Sequence, residues 1–247
     1  MHRRRANNAV DRAPFSRALL DGDTLEAARL LLGARLVRGS GFRARVGRIV
    51  EVEAYVGQDD LASHARFGRT KRNAVMFGSA GLAYVYLVYG MHYCLNVVTE
   101  EPGRPGALLV RGVEPLAGMD EMRRARVEWL AARPSRATGR STAAERARLE
   151  LAGGRIAALA DASLASGPGL VCAAFSIGRS DDGTDLCDPG SDLRLETAGE
   201  DEARSIQTGS RVGIDYAPEP WLSKPWRYWI KGNAGVSGTS NSRRRAG

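Results

Sequence analysis

Cysteine, histidine, lysine and long apolar runs are all scarce in this chain. The three cysteines, Cys94, Cys172 and Cys187, are far apart, odd in number and without a C-x-x-C pair. That excludes a disulfide framework or a zinc knuckle and suits free, mostly buried thiols in a reducing compartment. The only histidines are His2, His64 and His92. His92 lies two residues from Cys94, but no third and fourth ligand follow, so no metal is expected. There is no run of roughly eighteen apolar residues, which excludes a spanning helix. The N-terminal MHRRRANNAVDRAPF is basic but lacks the apolar core and cleavage site of a secretory signal. A soluble cytoplasmic protein, associated with the nucleoid, is the expectation.

What is present is arginine. Of 36 basic residues only Lys71, Lys224 and Lys231 are lysines, and the net charge is +8. A bias toward Arg and Ala can reflect coding composition, so the charge carries the argument and the choice of Arg does not. A basic surface steers polyanions and gains from counterion release, which makes nucleic acid the first partner to consider. With 247 residues, 43% of them apolar, the chain can bury one substantial core. Residues 1–15 and 233–247 read as flexible basic tails around a single domain at 16–232, the last segment, NAGVSGTSNSRRRAG, having little to pack.

Within that domain, Asp23-Thr24-Leu25-Glu26 has capping-box spacing, and Leu25, Ala28 and Leu32 share a helical face that Gly33 ends. ARLVRGSGFRARVGRIVEVEAYVG reads as a hairpin whose second strand runs to about Tyr55. Period-two alternation places Glu51, Glu53 and Tyr55 on one face of that strand and Val50, Val52 and Ala54 on the other. LAYVYLVYGMHYCLNVVTE reads as a strand pair bent at Tyr89-Gly90-Met91-His92, and GALLVRGVEP as a strand ended by Pro115. A helix is expected from Met119, a weaker one in the charged connection near 134–154, and another after Gly167-Pro168. RVGIDYA and WRYWIKG read as late strands. The short connections favour an antiparallel sheet. The fold class is therefore α+β: one mixed domain with a curved, mainly antiparallel sheet, flanking helices and a protruding hairpin.

Candidate chemistry concentrates in residues 51–98. Glu53 stands mid-strand between Val52 and Ala54, where burying a carboxylate is costly unless it has a partner or a task. Glu51 shares its parity, so one of the two can simply be solvated. His64 sits in a loop after Asp59-Asp60, where a surface role is the plainer alternative. Tyr84, Tyr86, Tyr89 and Tyr93 are four of the seven tyrosines. Strand tyrosines usually pack in cores or cross-strand pairs, but Tyr89 precedes Gly90 at the hairpin bend and should project outward. On a basic protein such a ring suits a wedge between stacked bases. Tyr84 and Tyr86, on one strand face, suit walls against which a base stacks. Arg69-Thr70-Lys71-Arg72 supplies a basic loop. Three functions accommodate these parts: an enzyme that extracts a base, a non-catalytic nucleic-acid binding module that stacks bases on its tyrosines, and a carbohydrate hydrolase using Glu51 and Glu53. The positive charge argues against the last.

Residues 48–115 closely resemble the alkyladenine (3-methyladenine) DNA glycosylase family, with weaker likeness over 22–38, 167–177 and 211–232. The resemblance rests on Arg48-Ile49-Val50-Glu51-Val52-Glu53-Ala54-Tyr55, on His64 nine residues after Tyr55, and on Arg72-Asn73 with Met76-Phe77. It continues through Tyr84-Val85-Tyr86, Tyr89-Gly90-Met91, Cys94-x-Asn96, and Leu108-Leu109-Val110-Arg111 with Glu114-Pro115. It implies that Glu53 holds and deprotonates an attacking water that Arg111 helps to place. It implies that Tyr55, His64 and Tyr86 sandwich a flipped purine, that Tyr84 orients the histidine, and that Asn96 discriminates against the amine of guanine. Tyr89 would fill the vacated stack with Met91 beside it, and Arg69, Lys71, Arg72, Lys224 and Arg227 would meet the DNA.

The implied activity is a monofunctional DNA glycosylase acting on duplex DNA with alkylated purines of the 3-methyladenine class, some members also removing hypoxanthine or ethenoadenine. A lyase step needs an amine nucleophile, and no lysine lies in a strand beside Glu53, so water is expected. No cofactor, no membrane and a monomer complete the expectation. Two departures stand out: Gly112 where a small Ala is commoner, which would loosen that strand, and Leu170 where a basic residue is common. Residues 131–160 and 188–210 fit least well.

Overall fold

The computed structural model describes residues 13–132, 143–198 and 205–238. The expected N-terminal tail up to residue 12, residues 133–142 of the charged connection and the last residues, 239–247, lie outside the described part. Two residues read as tail belong to the fold: Phe15 is buried in the main core and Pro14 bridges to Glu196.

Helix α1 (Thr24–Leu31) starts because the Asp23 carboxylate accepts the free amides of Leu25 and Glu26. It stops before Gly33, which takes the left-handed conformation a Cβ would disfavour. The face that packs is Thr24, Ala27, Ala28 and Leu31, one position off the expected stripe in part. Strand β1 (Arg35–Arg38) and the long β2 (Arg45–Val56) form the first hairpin. Next come β3 (Ala83–Val88), β4 (His92–Thr99) and β5 (Gly106–Ala117). Helices α2 (Met119–Ala131), α3 (Ala143–Ala157) and α4 (Pro168–Ala174) follow, then short strands β6 (Leu193–Glu196), β7 (Ile206–Gly209) and β8 (Arg227–Ile230).

Among the described residues every strand pairing is antiparallel, in the order β3-β4-β5-β2-β1-β6, with β8 also on β2 and β7 on β8. Thus β2 is the axis of the molecule, flanked along its length by β5 and on its other edge first by β1 and then by β8. Helix α4 covers β4 and β5, with α2 packed behind it. The main core joins Leu36, Ile49, Val52, Val110, Met122 and Phe175. The α+β reading and the curved antiparallel sheet hold.

Several local readings are corrected. Strand β5 runs past Pro115 to Ala117: Pro115 stays opposite Gly47, and a register shift passes over Leu116 before Ala117 meets Val46. RVGIDYA forms turns, not a strand, while β6 and β7 come from segments too short and polar to read as strands. Strict alternation along β2 fails at Val50. Register shifts on both sides of Glu51 insert a bulge, so Ile49, Val52 and Ala54 face the main core. Val50 leaves it and lies against Gly235.

Candidate active site

Glu53 and Glu51 are both fully buried, so neither is the solvated carboxylate that the shared parity allowed. Each has partners that offset part of the desolvation. Glu53 Oε1 accepts the Val212 amide at 2.7 Å and faces Arg111 Nη1 at 3.2 Å. Its Oε2 accepts the Tyr55 hydroxyl at 3.1 Å. Burial holds the Glu53 carboxyl above its ordinary value, with Arg111, the Val212 amide and Tyr55 pulling it only part of the way back and Glu51 adding to the rise. Burial alone would lower Arg111, but Glu53 and Glu51 together hold its guanidinium above its usual value.

Beyond the Tyr55 hydroxyl lies a small cavity lined by Tyr55, His64, Tyr84, Tyr86 and Asn96, with Met76 and Ala107 closing it. Five separate sequence candidates therefore converge, supplied by β2, the loop after it, β3 and β4. Cross-strand register brings Tyr84 opposite Asn96, whose Nδ2 donates to the Tyr84 carbonyl at 3.1 Å. The His64 ring touches Tyr86 edge-on, centroids 4.5 Å apart, and its Nδ1 is 2.9 Å from the Tyr84 hydroxyl. The space left is about 20 Å³, room for about one water.

Behind Tyr55 stands Arg211, its guanidinium 4.8 Å from the ring centroid and 5.0 Å from that of Trp226. Arg211 also makes a bidentate pair with Asp60, at 2.5 and 2.9 Å, both side chains fully buried. Asp60 in turn accepts the Val56 and Ala62 amides and so shapes the loop that delivers His64. Asn73 does the same further on: its side chain donates to the His64 and Gly68 carbonyls and accepts the Thr70 amide. Asp60 and Arg211 were not singled out from sequence, and Asn73 was read only as part of a motif with no role, since one Asp of a pair and one loop Asn carry no local mark of burial.

Burial lowers the His64 pKa to about 4 from 6.5, and the nearby Arg72 and Arg66 add to the fall. A proton binds this imidazole more readily in the unfolded chain, so the unfolded state gains protons as pH falls from 6.5 toward 4. Stability contributed by neutral His64 should therefore be complete above about pH 6.5 and lost on acidification to about pH 4. Denaturant titrations across that window should show a shallower pH slope for His64→Gln than for the wild type. An equal slope would mean that His64 titrates normally.

The hairpin tip behaves as its sequence suggests. Tyr89 and Gly90 both take positive φ, 50° and 66°, and Met91 N–H donates to the Val88 carbonyl at 3.0 Å. Two such residues make the primed turn that suits the twist of the strands. Tyr89 is 86% exposed and Met91 52%. Arg69, Lys71 and Arg72 are exposed on the loop below, Arg72 lying 5.6 Å from the Tyr86 ring centroid. Lys224 Nζ lies over both Trp221 and Trp226. Arg227 departs from its expected place at DNA: its Nε is 2.7 Å from Glu51 and its Nη2 donates to the Ser237 carbonyl, because β8 pairs with β2 at this level and turns the side chain inward.

Residues 18–234 match the model of a family described as methylpurine-DNA glycosylase. Curated relatives share about two residues in five. A protein of Anaeromyxobacter sp. (strain Fw109-5) is 42% identical over 216 residues, 87% of this chain and 88% of its own length. One of Methanocella arvoryzae is 41% identical over 221 residues, 90% and 94% of the two chains, and one of Bacillus cereus (strain G9842) is 40% identical over 222 residues, 88% and 95%. Each of these three carries the name "Putative 3-methyladenine DNA glycosylase".

Proposed function

Because this chain belongs to the methylpurine-DNA glycosylase family, we propose that it starts base excision repair by hydrolysing the N-glycosidic bond of a purine flipped from duplex DNA. The observation that carries this reading is the Glu53 carboxylate, dehydrated, fixed on both oxygens and one hydroxyl away from an aromatic cavity. A module that only stacks bases has no use for a charge buried at such cost.

Donors on both oxygens and a guanidinium at 3.2 Å favour the ionised form of Glu53, as a general base requires. Water attacks C1′ of the flipped nucleotide. The glycosidic electron pair leaves with the purine, and the water proton passes to Glu53. As positive charge develops on the sugar, the same carboxylate stabilises it. Arg111 holds Glu53 in place and helps to seat the water.

Purines methylated at N3 or N7 are cationic and leave without a strong general acid, so they form the proposed substrate class, with hypoxanthine and ethenoadenine as neutral candidates. The stacking faces are Tyr55 on one side and His64 with Tyr86 on the other, each ring worth on the order of 1 kcal/mol or more. A neutral His64 matters here, since an imidazolium would repel a cationic base. Asn96, on the cavity wall, rejects the guanine amine. Tyr89 fills the gap in the stack and offsets part of the few kcal/mol that extrusion costs. Arg69, Lys71, Arg72, Met91 and Lys224 meet the duplex, at the nucleoid, one monomer per lesion. Arg227 is withdrawn from that set. The nucleophile is water and no strand cleavage follows: Lys71 and Lys231 are exposed and Lys224 is engaged with two Trp rings.

Incubating the protein with duplexes carrying 7-methylguanine, 3-methyladenine, hypoxanthine or ethenoadenine, then treating with alkali, tests this directly. Alkali-dependent breaks at one or more lesions are expected, and breaks before alkali would reveal a lyase. Binding to every lesion without breaks at any would leave the binding module.

A further inference from the structure

Arg111 is held on three sides. Its Nη1 faces Glu53 at 3.2 Å, its Nε donates to Glu51 at 3.0 Å, and its Nη2 donates to the Ser237 hydroxyl at 3.2 Å. The third partner comes from a segment that the sequence marks as a free tail. Instead, residues 233–238 fold back over the carboxylate pair.

Ser237 reaches Glu51 twice, through its amide to Oε2 at 2.5 Å and through its hydroxyl to Oε1 at 2.9 Å. Arg227 completes the group, bonding Glu51 and the Ser237 carbonyl. Two carboxylates and two guanidiniums thus balance in charge, in a layer where an unmatched charge would be severely penalised. The segment has its own anchors. Asn233 donates to Glu114 at 2.9 Å and accepts the Gly235 amide at 2.8 Å, while Val236 is buried.

Gly112 explains how the segment comes so close. A Cβ on residue 112 would stand 2.7 Å from the Gly235 carbonyl oxygen, a backbone atom, and 3.2 Å from Glu51 Cβ. The absence of a side chain, which as a departure from the family pattern suggested a looser strand, here admits a neighbouring backbone.

We infer that residues 233–238 form a clasp over the site, in which Ser237 is a positioning residue that, with Glu51, fixes the Arg111 guanidinium against Glu53. Orientation of a planar guanidinium depends on matching its fork of donors, and three partners from different parts of the chain leave it one arrangement. Loss of the serine hydroxyl frees Nη2 and lets the plane rotate away from Glu53. The inference rests on the proposed role of Glu53 for its effect on rate, but not for the geometry itself.

The test uses the full-length wild type, Ser237→Ala, Ser237→Thr and Gly112→Ala. Base release is measured in single turnover at saturating enzyme from pH 5 to 9, beside the affinity for a duplex holding a tetrahydrofuran abasic analogue. Ser237→Ala should release base roughly tenfold more slowly, as expected for one lost hydrogen bond at the reacting group, with analogue affinity within about twofold. Its acid limb should move to higher pH, because Arg111 is the strongest of the groups that lower Glu53, the others facing it being Tyr55, the Val212 amide and the like-charged Glu51. Ser237→Thr, which keeps the hydroxyl, should recover most of the rate. Gly112→Ala should slow release in the same way, by lifting Gly235, without removing any polar group.

A Ser237→Ala rate within twofold of wild type, or a rate loss matched by lost affinity with an unmoved acid limb, would overturn the clasp. Nitrogen-detected NMR of Arg111 reads the geometry without substrate. Separate, slowly exchanging Nη signals are expected in the wild type and merged signals in Ser237→Ala. Should the wild type release no purine, the proposed function fails while the NMR comparison still decides the clasp.

Discussion

Glu53→Gln is expected to lower single-turnover base release by on the order of 10³ to 10⁴ while leaving affinity for lesion-bearing duplex nearly unchanged. Removing a positioned general base is worth about that much, equivalent to roughly 4 to 5.5 kcal/mol of barrier. Gln preserves shape, so the cavity formed by Tyr55, His64 and Tyr86 persists, and Arg111 keeps its bonds to Glu51 and Ser237. The proposed duplex contacts of Tyr89, Arg69 and Lys71 lie on exposed surface away from the buried carboxylate. Affinity measured by gel shift and rate measured by alkali cleavage therefore separate. If Glu53→Gln keeps a rate within tenfold of wild type, the carboxylate is not the base. If affinity falls in step with rate, the substitution has damaged the fold and the variant says nothing of chemistry, so circular dichroism and thermal melting accompany both measurements.

Asp60→Ala should be the most destabilising single change at the site, by about 3 to 5 kcal/mol, the usual result of removing one partner from a buried ion pair. The reason is the number of contacts that converge. Asp60 neutralises Arg211 at 2.5 and 2.9 Å, accepts the amides of Val56 and Ala62, and is itself fully buried. Without it the guanidinium keeps the Ala54 and Trp221 carbonyls and the faces of two rings, which solvate a cation only in part. For a chain of this size the melting temperature should fall by about 10 °C or more. A fall of less than about 3 °C would show that water or local rearrangement reaches the site freely. The same variant should also lose activity, since Arg211 backs the Tyr55 ring and the next residue, Val212, holds Glu53. Exposed pairs such as Arg104 with Glu101 should, by contrast, cost under about 1 kcal/mol when broken.

The pieces legible beforehand were those whose signal is local. Period-two alternation around Glu53 and Tyr55 put both on one strand face, and the structure joins them through a hydrogen bond. Gly90 marked the hairpin bend with Tyr89 turned outward, and the structure gives both residues positive φ there. Failures arose where the chain departs from regular spacing. A bulge at Glu51 moved Val50 off its expected face, and β5 continued through Pro115, which stays opposite Gly47. Alternation assumes an unbroken ladder, and nothing in the residues of β2 alone reports where its partner inserts an extra residue.

Composition and pattern by themselves determined the fold class, the antiparallel hairpins and the outward tyrosine, because turn chemistry and side-chain alternation act within a few residues, while the grouping of the candidate cluster came from the family resemblance. Tertiary structure alone decided that both glutamates are buried, that Arg227 turns inward to Glu51, that Arg211 finds Asp60 and that Ser237 closes on Arg111. Those partners lie from 60 to 186 positions apart in the chain where Glu51 meets Arg111 and Ser237. A charged side chain is stable inside only beside its complement, and which complement arrives depends on how the whole sheet curls.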